Sequence, residues 1–173
     1  FDLFFSEGKE EDCFEKYFNC MGFSKKSDPK IYGWTSWYNY FTDINKSIIS
    51  QNLDNFSIQK TPLTYIQIDD GYQMHIGDWL TVNTVKFPEG MSSVAKMIHS
   101  KGYKAGIWLC PFICQKSSKL YKEHKDWVLK KNGKLVPAGR NPNWHGDFYA
   151  LDFYNQDYQN YLLVRIYLKN IKK

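Results

Sequence analysis

The stretch Thr64-Tyr65-Ile66-Gln67-Ile68-Asp69-Asp70-Gly71-Tyr72 decides how the rest of the chain is read. A short apolar run ends in two adjacent carboxylates, followed by a glycine and an aromatic. Its alternation predicts a strand. Asp is a poor strand residue, so Asp69 and Asp70 fall where the strand gives way to a loop. In folds built on parallel strands, that rim is where sites are assembled. Asp-Gly is also ordinary turn chemistry, so on these residues alone a turn and a site stand level.

Working outward, Ile31 to Tyr38 reads as an earlier core strand carrying Trp34 and Trp37. Asp43 to Phe56 follows with Ile44, Ile48, Ile49, Leu53 and Phe56 at helical period, and Thr42 or Asp43 is the expected N-cap. Strand, helix, strand in this order predicts a parallel βαβ unit. Tyr72 to Gly90 is too long for a tight connection, and loops of that kind often carry function. Met91 to Ser100 is a second helix, with Val94, Met97 and Ile98 inward and Gly102 as its stop. Tyr103 to Leu109 is a third strand. Pro111 cannot continue a central strand, which brings Trp108 to the same rim as Asp69 and Asp70.

The flanks are less regular. Glu10 to Cys20 is helical, with Phe14, Tyr17 and Phe18 at the right spacing, and Ser24 to Lys30 is a polar linker. Ser117 to Lys130 is helical in part. Lys131-Asn132-Gly133-Lys134 is a hairpin turn between 127–130 and 135–137. Phe148 to Asp152 is a short strand-like piece ending in a carboxylate, and Asn155 to Lys173 reads as a closing helix. The fold class is α/β, with about three βα units. Residues 1–30 form a lead-in, and residues 31–173 carry the units. A closed barrel of eight such units needs ~250 residues, so the chain is expected to be a piece of a longer protein.

Composition narrows the function classes. With 43% hydrophobic and 24% charged residues, the chain is globular rather than disordered. Aromatics at 18% exceed what a core needs, and the flat faces of Tyr and Trp suit sugars or nucleobases. A net charge of +5 invites a nucleic-acid reading, but the lysines are scattered, and clusters occur only near Lys25-Lys26, Lys130-Lys131 and Lys172-Lys173. No nucleic-acid partner is expected. Cys13, Cys20, Cys110 and Cys114 lack metal-site spacing and are expected to be buried free thiols. His75, His99, His124 and His145 have no ligand spacing, so no metal and no cofactor are expected. No signal peptide or membrane span is evident, and a cytoplasmic location is expected. The start at Phe1 leaves a leader open, and the sequons at Asn45 and Asn55 matter only for a secreted protein.

These motifs together resemble the melibiase-type α-galactosidases of glycoside hydrolase family 36. The matching stretches are Gly33-Trp34-Thr35-Ser36-Trp37-Tyr38, Tyr65 to Tyr72, Gly77-Asp78-Trp79, Lys86 to Met91, His99 to Trp108 and Ala150-Leu151-Asp152. Their order and spacing hold over about residues 30–155. The resemblance implies a (β/α)8 TIM barrel, of which this chain is the N-terminal part, and an N-terminal β-rich domain of which residues 1–30 are the exit. It implies that Asp69 and Asp70 bind hydroxyls of galactose, that Trp108 lines the sugar pocket, and that Trp34 is a wall of the same pocket. Arg140 is a weaker match to a substrate-reaching Arg. The run Trp108-Leu109-Cys110-Pro111-Phe112 lacks the acid that many members carry there, which bears on substrate preference.

The implied activity is retaining hydrolysis of terminal α-D-galactosyl residues from melibiose- or raffinose-type oligosaccharides. The implied partner is such an oligosaccharide, with no membrane contact, and the resemblance leaves oligomerisation open. The family's nucleophile sits in a Lys-x-Asp pattern on the next strand, and neither it nor the acid/base is present before Lys173. No catalytic residue is therefore assigned, and the 173-residue chain is expected to be inactive. Neighbours along a strand face opposite ways, which also argues that Asp69 and Asp70 bind rather than cleave. Asp78 is expected to order its loop, and Asp152 is either structural or pocket-lining. Alternatives are a non-catalytic carbohydrate-binding remnant, an α-N-acetylgalactosaminidase or a raffinose-synthase-like transferase.

Overall fold

The computed structural model describes residues 3–23 and 30–163. The chain divides into two compact units, Phe1–Lys30 and Ile31–Lys173. The first holds helix α1, Glu10–Cys20, whose first turn carries Glu10, Glu11 and Asp12, acids that suit the positive end of the helix dipole. Phe18 stacks on Phe14 and meets Phe23 edge-on. None of the residues of α1 is buried. That corrects the expectation for its thiols: Cys13 is half-buried and Cys20 exposed.

The second unit runs β1 (Gly33–Thr35), α2 (Trp37–Tyr40), α3 (Lys46–Ile58), β2 (Tyr65–Ile68), α4 (Gly90–Ser100), β3 (Lys104–Ile107) and β4 (Ile113–Gln115). It continues with α5 (Lys119–Glu123), β5 (Lys130–Lys131), β6 (Lys134–Leu135), β7 (Gly139–Asn141), β8 (Gly146–Ala150) and α6 (Gln156–Tyr161). β1, β2 and β3 form a parallel sheet in that order. The register pairs Trp34 with Ile66 and Thr35 with Gln67, then Ile66 with Ala105 and Ile68 with Ile107. The sheet is α/β and open, with three parallel strands among the described residues and no closure.

Strand period and helix period meet in one core. Ile66 and Ile68 share a face and bury against Ile49 and Leu53 of α3 and Val94 and Ile98 of α4. Burying such side chains contributes about 1.5–3 kcal/mol each. The exposed Lys101–Asp54 ion pair is of the kind worth about 0–1 kcal/mol, so apolar burial decides the docking of the two helices. The other face of the sheet carries Thr35, Gln67 and Asp69.

Several boundaries differ from the sequence reading. The first strand is only Gly33–Thr35, because Ser36 turns helical (φ −69°, ψ −17°) and α2 starts at Trp37. The N-cap of α3 is Asn45 rather than Thr42 or Asp43. Its backbone is extended, and its side chain accepts from the Ile48 N–H at 2.9 Å. The second and third strands are likewise shorter than the apolar runs, because pairing ends where the neighbouring strand ends.

Beyond β3 the chain leaves the parallel sheet. β4, β8 and β7 form an antiparallel sheet in that order, so the Phe148 segment pairs with Ile113–Gln115 and Gly139–Asn141. β5 and β6 form the expected hairpin, with Asn132 and Gly133 both at positive φ. A second core gathers Cys114, Leu120, Tyr121, Trp127, Val128, Tyr149, Leu151 and Tyr158. The helix expected over Asn155–Lys173 is seen as α6, capped by the Asn155 side chain, and residues 164–173 lie outside the described residues. Among the described residues no helix is long and apolar enough to cross a membrane.

Candidate functional site

The C-terminal ends of β1 and β2 meet at Asp69. Its backbone N–H donates to Ser36 Oγ at 2.9 Å, directly after β1. Its Oδ2 accepts from Thr35 Oγ1 at 3.0 Å and from Gln67 Nε2 at 2.9 Å, and its Oδ1 accepts from the Asp70 N–H at 2.9 Å. An ionised carboxylate offers about four acceptor positions. Protein donors occupy three of these, so Asp69 braces β1 against β2 as well as facing the rim. Trp108 closes the third strand end. Its N–H donates to Ile68 O, and its carbonyl accepts from Tyr72 Oη at 3.2 Å. Burial first, then the charge of Asp70, pushes the Tyr72 phenol well above its usual range, which keeps it a neutral donor.

Asp70 is only 3% exposed, yet it borders an open cleft of about 560 Å³. Its Oδ1 accepts from Gln73 Nε2 at 2.6 Å and its Oδ2 from Trp144 Nε1 at 2.6 Å. Two acceptor positions remain, one on each oxygen. Around it the cleft is lined by Thr42, Gln73, His75, Asn83, Lys86, Lys116, Ser117, Asn143, Trp144, His145 and Asp147. A fixed carboxylate beside amides, hydroxyls and imidazoles is the chemistry of a polyhydroxylated ligand, since charge-assisted bonds to hydroxyls are short and strong. The two carboxylates turn to different donors, Asp69 to Thr35 and Gln67 and Asp70 to Gln73 and Trp144. They do not face one another across a shared space, as a pair flanking a glycosidic bond must.

The other predicted residues separate. Trp108 packs at the rim, edge-on to Trp79 at 5.8 Å between ring centroids. Trp34 is not at the rim. It packs into the helix-side core, edge-on to Tyr40 and Phe56. The reason is parity: Trp34 pairs with Ile66, which faces the helices, and Thr35 is the residue turned toward Asp69. Arg140 lies on β7, exposed and 3.8 Å from Asp147 across the strand pair. Asp78 orders its loop against α5, its two oxygens accepting from the Lys119 and Leu120 N–H groups. Asp152 closes a local turn by accepting from the Tyr154 N–H.

Sequence reasoning missed the residues that hold the carboxylates. Gln67 was within reach, because Gln67 and Asp69 are two apart on one strand face, whereas Thr35 and Ser36 join them only through the register that pairs Thr35 with Gln67. Gln73 and Trp144 carry no such signal. Trp144 is 74 residues from Asp70 on the short loop between β7 and β8.

Beneath the loop that leaves the rim, Cys114 is fully buried, and Gly77 sits against it at φ +108°. Burial, then the charge of Asp78, pushes its thiol from 9.0 up to about 12. The sign follows. The unfolded chain loses this proton near pH 9 and the folded chain holds it, so the contribution to stability is complete below pH 9 and is lost as the pH rises from 9 to about 12. At pH 8, iodoacetamide is expected to modify the exposed Cys20 well before Cys114, read by peptide mass mapping. Comparable labelling of both in the folded chain contradicts the buried placement.

The fold and the rim define a class: an open parallel α/β module that presents a braced pair of carboxylates at its strand ends. The sequence profile of the melibiase family matches residues 23–171. The chain belongs to the melibiase family. It is 32% identical over 132 residues to alpha-galactosidase 1 of Pediococcus pentosaceus, covering 72% of this chain and 17% of that one. It is 30% identical over 108 residues to alpha-galactosidase AgaA of Geobacillus stearothermophilus, covering 58% and 14%. The structure of the alpha-galactosidase from Thermus thermophilus, solved with p-nitrophenyl alpha-D-galactopyranoside, superposes with a TM-score of 0.78 at 34% identity, covering 94% of this chain and 33% of that one. The same enzyme has also been solved with stachyose. The chain thus spans about a sixth of the first of these relatives and a third of that structure.

Proposed function

We propose that this chain is the galactose-holding part of the (β/α)8 barrel of a retaining α-galactosidase, and that residues 1–30 lead in from a preceding domain. The observation that carries the reading is Asp70: a carboxylate fixed by two N–H donors at the rim of a parallel sheet, with acceptor capacity left toward a cleft. An axial and an equatorial hydroxyl point in different directions, so a carboxylate held at a strand end distinguishes epimers. Asp69 holds a second hydroxyl and braces the first strand, and Trp108 offers a wall at the same rim. Trp34 supports the site from the helix side. The ligand is a terminal α-D-galactosyl group of an oligosaccharide, the class to which the stachyose bound by the Thermus thermophilus enzyme belongs.

Bond cleavage belongs to strands beyond these, because Asp69 and Asp70 do not flank a common bond. The test compares two forms of the protein on p-nitrophenyl α-D-galactopyranoside. The 173-residue chain is expected to show no turnover, and a form extended through a complete barrel is expected to hydrolyse it. Turnover by the short chain contradicts the division of labour. An extended, folded form inert toward every α-galactoside contradicts the activity.

A further inference from the structure

We propose that Trp144, latched by Gln115, aims the Asp70 carboxylate and thereby sets the affinity of the rim for its sugar; this rests on the galactoside reading above. The indole donates its one N–H to Asp70 Oδ2 at 2.6 Å. A Trp N–H is a donor only, so the contact fixes which oxygen edge is occupied and which is left for ligand. Trp144 comes from the antiparallel part of the chain, on a one-turn 3-10 helix between β7 and β8, and its placement therefore needs its own anchor.

Gln115 is that anchor. Its Nε2 donates to Trp144 O at 2.6 Å, and its Oε1 accepts from the Ile76 N–H at 3.0 Å. Its backbone N–H donates to Ile76 O at 2.9 Å. One side chain on β4 thus joins the loop after β2 to the loop before β8. Phe148 adds an edge-on contact to the Trp144 ring at 5.5 Å. Gln73 holds the other oxygen of Asp70 from the same loop as Ile76. The carboxylate is therefore clamped from two separate parts of the chain, and freeing one side lets it rotate away from the cleft. A second acidic residue at the rim does not substitute, because Asp69 already takes three protein donors.

The test uses Trp144→Phe, which keeps a ring and removes the N–H. In the form extended through a complete barrel, kcat/KM for p-nitrophenyl α-D-galactopyranoside is expected to fall roughly ten- to hundredfold, mostly through KM, with Gln115→Met moving it the same way by less. Asp70→Ala falls further, and the double variant Trp144→Phe/Asp70→Ala falls no further than Asp70→Ala alone, as residues acting through one another must. In the 173-residue chain, the indole N–H resonance of Trp144, assigned by its loss in Trp144→Phe, is expected to move on Asp70→Ala. Additive losses in the double variant, or an unmoved indole resonance in a chain of unaltered circular dichroism, overturn the proposal. An unaltered extended form that turns over galactosides while Trp144→Phe matches it sinks the positioning role alone. An unaltered form with no turnover sinks the galactoside reading and the positioning role with it.

Discussion

Asp70→Ala, placed in a form of the protein with a complete barrel, is expected to lower kcat/KM for an α-galactoside by about 10²- to 10⁴-fold. The two protein donors leave two acceptor positions on the carboxylate, which borders the cleft, and hydrogen bonds to a charged group contribute about 1.5–3 kcal/mol each. Losing both removes roughly 3–6 kcal/mol of binding. The loss extends beyond the ligand, because Gln73 Nε2 and Trp144 Nε1 are left without their acceptor, and an orphaned buried donor costs about 1–3 kcal/mol. Asp70→Asn does not rescue. Its single oxygen serves one clamp, and its NH₂ then meets the donor of the other. Asp69→Ala is expected to differ in kind, losing stability as well as affinity, since it also removes the brace to Thr35 and Gln67. Steady-state kinetics of the three variants, together with urea unfolding, checks the set. A kcat/KM for Asp70→Ala within about fivefold of the unaltered form is incompatible with a ligand-holding role.

Gly71→Ala is expected to destabilise the 173-residue chain by about 3–5 kcal/mol, read from the urea midpoint. Gly71 has φ +106°, a conformation that side chains rarely adopt, and a Cβ there would fall inside the Thr42 backbone. Strain of that kind alone costs about 1–3 kcal/mol. Thr42 cannot retreat easily, since its carbonyl accepts from Lys86 Nζ at 2.5 Å, and the Lys86 carbonyl accepts in turn from the Lys46 N–H at the start of α3. The glycine lets the chain turn sharply after Asp70 into the loop whose Gln73, His75 and Asn83 line the cleft. Stabilities of domains lie near 5–15 kcal/mol, so the substitution removes a large part. A midpoint shift equivalent to less than about 1 kcal/mol is incompatible with the close approach to Thr42.

Asn45 and Trp34 show where local reading stops. Asn, Asp and Thr are all good caps, and Thr42, Asp43 and Asn45 lie within one turn of each other. Only the backbone path, extended at Asn45, selects among them. The family resemblance makes Trp34 a pocket wall, and the structure places it in the helix-side core. Its face was already fixed by alternation relative to Thr35, but that phase is known only once the register with β2 is known.

Legible in the residues alone are the parallel βαβ order, the apolar faces of α3 and α4, the hairpin at Asn132-Gly133 and the position of Asp69, Asp70 and Trp108 at strand ends. Each is a short-range property: a period, a turn pair or a residue that cannot continue a strand. Packing alone makes Asp69 a brace with three donors, sets Asp70 at the border of the cleft, and brings Gln73 and the Gln115-latched Trp144 to its two oxygens. Those bonds join residues that share no periodicity and, for Trp144, lie 74 residues apart in the chain, so no local pattern of the sequence specifies their pairing.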